Sequence, residues 1–148
     1  MRETFMVIVF DMDNTLVDEF GSSVRPGIVD LLKRLRQSGI TLVLWTNSRR
    51  DRAKEILRIH DLRKYFTTCI FREDYDPAEK GIRKDIRRVK GDVLVDDDPD
   101  EIAYVKSLGK TGVLIRSFRK GSTSDILEIS HIYSAIVKPK KRFRRLFL

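Results

Sequence analysis

Short apolar runs alternate along the chain with longer stretches in which apolar residues recur every third or fourth position. Residues 5–10 (FMVIVF) show no polar alternation and predict a strand buried on both faces. Pro26 is placed to open a helix whose stripe is Ile28, Leu31, Leu32 and Leu35, with Ser38-Gly39 closing it. Residues 40–45 (ITLVLW) predict a second strand. Ser48 is placed to cap a helix running to about Leu57, with a short turn near 61–65. Residues 67–71 (TTCIF) predict a third strand and 79–89 a third helix. Residues 92–95 (DVLV) predict a fourth strand, Pro99 begins a helix that ends at Gly109, and 112–115 (GVLI) predict a fifth strand. A polar loop and a last helix from about Ser124 to Val137 complete the series. The pattern is βαβαβαβαβα, which calls for a five-stranded parallel sheet with helices on both faces. Ligands of such sheets bind beyond the carboxyl ends of the strands.

The length of 148 residues fits one compact domain, and 41% apolar residues suffice for a core. A single cysteine, Cys69, excludes an internal disulfide framework. The apolar runs reach about a third of the ~20 residues of a membrane span. The first run ends at once in DMD, unlike a secretory signal, so the cytosol is the expected compartment. Lys and Arg number 30 against 22 Asp and Glu, a net charge of +8 that first suggests a polyanionic partner. Its placement changes that picture. From Lys138 onward the segment KPKKRFRRLFL holds six Lys and Arg and no acid, so residues 1–137 carry 24 basic against 22 acidic side chains. The chain therefore divides into a nearly neutral domain, 1–137, and a basic tail, 138–148.

The strand ends carry the chemistry. Strand one is followed by Asp11, Asp13, Asn14 and Thr15, strand two by Thr46, Asn47 and Ser48, and strand four by Asp96, Asp97 and Asp98. Five carboxylates converging on one sheet edge need a cation among them. An all-oxygen ligand set suits a hard ion, and Mg²⁺ is the usual one when a phosphate adds ligands. In the DxD pair, one carboxylate is placed to attack phosphorus while the other moves a proton to the leaving group. Thr46 adds a hydroxyl donor, and the turn after it adds backbone amides for an anion. A lysine before strand four completes the charge balance, Lys84 by preference and Lys80 as the alternative.

DMDNT, WTNS, KDI and VLVDDDP together resemble, in their order, the four motifs of the haloacid dehalogenase (HAD) superfamily, over about residues 7–99. The resemblance implies a three-layer Rossmann-like fold and a Mg²⁺-dependent phosphatase. It implies Asp11 as the nucleophile that forms an aspartyl-phosphate and Asp13 as the acid and base. Thr46 and the Asn47 amide would hold the phosphoryl oxygens, with Ser48 beside them, and Lys84 would neutralise charge. Asp96 and Asp97 would bind Mg²⁺ together with the Asp11 carboxylate and the Asp13 carbonyl, Asp97 as the closer ligand. Between Asp13 and Thr46 lie 32 residues, and between Thr46 and Lys84 lie 37, too few for a cap domain in addition to the expected elements. The expected site is therefore open to large or varied phosphorylated substrates, under a short flap at about 16–25 that carries Phe20. The KDI segment and the acidic-pair-then-Pro motif are similar to the FCP/SCP-type and small magnesium-dependent phosphatases, which usually carry DLDxT and Asp-Asn where this chain has DMDNT and DDD.

Asp98, Asp100 and Asp125 read as helix caps, Cys69 as a core residue, and His60 and His131 as residues outside any metal site. A response-regulator receiver shares the residue types, but its order of Asp, Thr and Lys along the strands differs. The remaining rival is a non-catalytic module that binds nucleic acid or another polyanion through the tail, in which Phe143 and Phe147 interrupt the cations. Association into oligomers is compatible with an open site.

Overall fold

The computed structural model describes residues 6–122 and 126–145, the last helix beyond Ile136 by its backbone alone. Five parallel strands, β1 (Val7–Phe10), β2 (Thr41–Trp45), β3 (Thr68–Ile70), β4 (Val93–Asp96) and β5 (Thr111–Leu114), form one sheet in the order β3-β2-β1-β4-β5. Helices α1 (Ile28–Gln37), α2 (Arg50–Ile59), α3 (Arg72–Tyr75), α4 (Pro99–Ser107) and α5 (Ile126–Arg145) connect and flank them. The fold is the α/β, Rossmann-like arrangement that the motif resemblance implies, with no cap domain among the described residues.

Alternation along the strands divides the core in two. Ile8, Phe10, Leu42, Leu44, Val93 and Val95 face one layer, where they pack with Leu31, Leu32 and Leu35 of α1, Leu57 of α2 and Ile132 of α5. Val9, Val43, Trp45 and Leu94 face the other, against Ile86 and against Ile102 and Val105 of α4. The chain runs outward from β1 to β2 and β3, then returns to β4 on β1's other side. The order reverses between β1 and β4, where the Asp11 amide donates to the Val95 carbonyl at 3.1 Å. A crevice at this reversal is the expected ligand position.

Several element boundaries differ from those read in the pattern. The helix over 79–89 is replaced by an irregular segment and a 3₁₀ turn, Ile86–Val89. The Asp76 carboxylate accepts the amides of Lys80, Gly81 and Ile82, offering that backbone a partner other than a helical carbonyl, and Glu79 and Gly81 both have positive φ. The first helix begins at Ile28 rather than at Pro26, because Gly27 is left-handed (φ 83). A Cβ at Gly27 would also stand 3.2 Å from Ile129 of α5. Finally, Ser48 does not cap α2, whose N-cap is Arg49. Ser48 is engaged elsewhere, its amide donating to Thr46 Oγ1 and its Oγ accepting from Arg52.

The last helix continues to Arg145, past the end at Val137 expected from the pattern. Residues 1–5, including Phe5 of the first strand, lie outside the described residues, as do Ser124 and Asp125, Phe147, and the side chain of Phe143. Among the described residues, no helix is long and apolar enough to cross a membrane.

Candidate active site

The carboxyl ends of β1, β2 and β4 open into one cavity of about 720 Å³, lined among others by Asp11, Asp13, Thr46, Lys84, Asp96 and Asp97. Asn47 and Ser48 line it as well. Asp11 follows Phe10 directly, so the β1 ladder fixes its backbone, and its side chain is largely buried. One carboxylate oxygen accepts from Lys84 Nζ at 2.9 Å and the other from Thr15 Oγ1 at 3.1 Å. Lys84 Nζ also donates to Asp96 at 2.8 Å. The lysine is 3% exposed and lines the cavity, whereas Lys80 is exposed and does not line it. The irregular 79–85 segment delivers Lys84, whose amide donates to Glu101 Oε1 of α4 at 3.0 Å.

Burial raises the Asp11 carboxyl well above the ordinary carboxylate range. Lys84 opposes that shift, and the negative charges of Asp96 and Asp97 add to it. Burial alone would lower the Lys84 ammonium, but Asp11 and Asp96 outweigh it and hold the lysine protonated. The cluster thus holds more negative charge than one ammonium matches. One carboxylate oxygen from each of Asp11, Asp96 and Asp97 lies within 4.8 Å of the others, a spacing and donor type that fit a hard divalent cation. Asp97 is oriented by Ser117 Oγ, which donates to it at 2.6 Å, and Asp98 caps α4 by accepting the Asp100 amide at 2.9 Å.

Asp13 is positioned differently. Its carboxylate is outside the three-oxygen group and receives both arms of the Arg52 guanidinium, each at 3.0 Å. Arg52 belongs to the first turn of α2 and also donates to Ser48 Oγ at 2.9 Å. Thr46 is buried, and because its Oγ1 accepts the Ser48 amide, its O–H is the part left to meet an anion. The Ser48 amide, expected to face an anion, is turned to Thr46 instead. Asn47 offers its carbonyl to Arg72 Nε at 2.9 Å.

The flap folds back on the domain. Val17 bridges to Asp13 on one side and to Val24 on the other, and Asp18 accepts the amides of Phe20 and Ser22. Arg25 is 1% exposed and secures the base of the flap. Its guanidinium donates to the carbonyls of Thr15, Asn14 and Arg116, and it stacks over Phe118. Phe20 is exposed, as expected of a flap tip. Cys69 packs against the core, where burial raises its thiol pKa, and His60 Nε2 bonds the Gly21 carbonyl.

Arg52, Glu101 and Ser117 were not singled out from the sequence, and Thr15 was named at the strand end without a role. That basic residues open the helix after the Thr46 strand is readable in the sequence, but not which of Arg49, Arg50 and Arg52 reaches the acids. Glu101 and Ser117 carry no such signal.

Comparison with known proteins bears on the fold and the family. An uncharacterized 36.0 kDa protein of Orgyia pseudotsugata multicapsid polyhedrosis virus is 42% identical over 66 residues, 43% of this chain and 21% of that protein. The chain spans between about a fifth and a half of the length of the curated relatives it matches. An uncharacterized protein from Listeria monocytogenes superposes with a TM-score of 0.68 at 12% identity, covering 93% of this chain and 99% of that one. A haloacid dehalogenase-like hydrolase from Streptococcus pneumoniae, SP0104, superposes with a TM-score of 0.60 at 14% identity, covering 86% and 90%. These superpositions show the shared fold. Residues 6–141 match the family of NLI interacting factor-like phosphatases, and the chain belongs to that family.

Proposed function

We propose that the chain hydrolyses phosphate monoesters through a phosphorylated Asp11. The observation that carries the reading is the buried Asp11 carboxylate, held by Lys84 and Thr15 beside Asp96 and Asp97, with Asp13 two residues on at the cavity mouth. An Asp11 oxygen attacks phosphorus, and the bond from phosphorus to the leaving oxygen breaks. Asp13 gives its proton to that oxygen. Water then attacks the acyl phosphate, Asp13 takes the proton of the water, and phosphate leaves with Asp11 regenerated. Because Arg52 holds both Asp13 oxygens, an entering leaving group has to displace it from at least one of them. Thr46 and the Asn47 amide meet the phosphoryl oxygens. Asp11, Asp96 and Asp97, with the Asp13 carbonyl, would hold Mg²⁺, which when bound offsets charge on the phosphoryl group. The open mouth accommodates large or varied leaving groups.

The test is release of nitrophenol from p-nitrophenyl phosphate with added Mg²⁺. Turnover that disappears in Asp11→Asn and after EDTA is expected. Full turnover by Asp11→Asn, or unchanged turnover after EDTA, removes the mechanism. The tail supports a second reading, contact with nucleic acid or another polyanion through Lys138–Arg145, either alongside catalysis or in its place. Such contact weakens steeply with salt, and a salt-independent affinity would exclude it. An open site is also compatible with association of the chain into oligomers, and we place the chain in the cytosol.

A further inference from the structure

The inner cations of the cavity have partners that the proposed reaction already uses: Lys84 faces Asp11 and Asp96, and Arg52 faces Asp13. Two arginines at the outer edge do not fit that scheme. Arg49 and Arg72 line the main cavity and also an adjoining one of about 170 Å³, shared with Glu73, Pro77 and Glu79. This smaller space is several times the roughly 30 Å³ that one water occupies, room for a phosphate group with part of its hydration.

The two guanidiniums suit such a group. Arg72 is three-quarters buried and held in place, with Nε donating to the Asn47 carbonyl at 2.9 Å and Nη1 3.2 Å from Glu79. Asn47 lines the cavity in the turn that the proposed reaction assigns to the phosphoryl oxygens, so this bond ties Arg72 to that turn. Arg49 is 68% exposed, and its ion pair with Asp51 is long at 3.9 Å, so its donors can turn toward a ligand at little cost. The two acids of the smaller cavity are engaged, Glu73 by the Arg50 amide at 2.9 Å and Glu79 by Arg72. Two planar guanidiniums converging on one space recognise phosphate oxygens better than a lone ammonium does.

We infer that Arg49 and Arg72 form a second phosphate subsite, and that the preferred substrate carries a second phosphate on its leaving group. The inference rests on the phosphatase reading above. Substrates with two phosphates on neighbouring positions arise both among nucleotides and among phosphopeptides, and both sources share this chemistry.

The experiment compares kcat/KM for thymidine 3′,5′-bisphosphate with each thymidine monophosphate, and for a doubly with a singly phosphorylated serine peptide. Wild-type protein is expected to favour the doubly phosphorylated member of at least one pair by about tenfold, and the pair that shows it identifies the source. Arg49→Ala should cut that ratio at least threefold, and Arg49→Ala with Arg72→Gln should bring it close to one. The ratio is taken within each variant, so any general loss of activity from a disturbed Asn47 turn cancels. A wild-type ratio near one in both pairs, or a preference untouched in both variants, overturns the subsite. Turnover of p-nitrophenyl phosphate separates the two failures. If it is present while the ratios are flat, only the subsite falls; if it is absent with Mg²⁺ supplied, the phosphatase reading falls as well.

Discussion

The cavity has two walls, built in different ways. On the strand side, Asp11, Asp96 and Lys84 are buried and bonded to one another at 2.8–2.9 Å. On the helix side, Arg52 and Arg49 from the start of α2 are 41% and 68% exposed, and Arg72 of α3 is 25% exposed. Charges inside a domain act at low effective dielectric, and leaving one of them unpaired costs several kcal/mol; exposed pairs are screened and weak. In the proposed reaction the nucleophile therefore lies in the buried wall, where the protein has already met the cost of desolvation. The outer wall is where the proposed scheme sets orientation and choice of substrate, at low cost to the fold. The difference teaches that substitutions on the two walls should differ in kind as well as in size.

The largest effect should come from Asp11→Asn. It keeps the volume and removes the attacking carboxylate, so turnover of an aryl phosphate should fall by at least about 10³-fold. A residual rate comparable to that of an outer-wall variant would remove the distinction between the walls.

Lys84→Met comes next and tests whether the buried wall is one unit. It should lower turnover by about 10²-fold. Without metal it also leaves Asp11 and Asp96 facing each other, with a stability loss of about 3–5 kcal/mol as for other broken buried pairs. Mg²⁺ should recover more stability in this variant than in wild type, because a ligand that binds only the folded state stabilises it. Thermal unfolding with and without Mg²⁺ is the measurement, and no stabilisation by Mg²⁺ in either protein would argue against cation binding among these carboxylates.

Arg52→Lys tests the outer wall. A lysine retains the charge but cannot hold both Asp13 oxygens as a fork, so kcat should fall about tenfold. The melting temperature should hardly change, since the pair is partly exposed. A large drop in stability would move Arg52 into the buried class.

How much of this was legible in the sequence follows the same division. Residues 7–10 and 42–45 are unbroken apolar runs, and a doubly covered parallel strand produces such runs. Asp11, Asp13 and the 96–98 triplet stand out because carboxylates directly after buried strands are costly without a purpose. Lys84 was legible as a chemical need, but its segment was not. Residues 79–89 have helical spacing, and the competing bonds to Asp76 are visible only in three dimensions. The arginine wall was hidden for a simpler reason. In a chain with 30 Lys and Arg no single arginine is distinctive, and only packing shows that Arg52 reaches Asp13.

The smallest expected effect lies at the flap, and it extends the comparison to a group whose burial is offset by hydrogen bonds. Burial of Asp18 works to raise its pKa, but the Ser22 hydroxyl and the amides of Ser22, Phe20 and Gly21 outweigh it and set the pKa below the usual value. A carboxyl whose folded pKa is depressed stabilises the fold fully above its unfolded pKa, about 3.9, and loses that contribution as pH falls through the lower folded value. Asp18→Asn keeps an acceptor for the amides and removes the charge. Its melting temperature should therefore lie about one or two degrees below wild type at pH 7, a modest change for a chain of this length. The gap should close as the pH falls through the depressed folded value, where the wild-type carboxyl takes up its proton. A gap that stayed constant with pH would assign the loss to altered packing of the flap. A gap that widened on acidification would reverse the sign of the shift and detach Asp18 from the amides that the flap turns toward it.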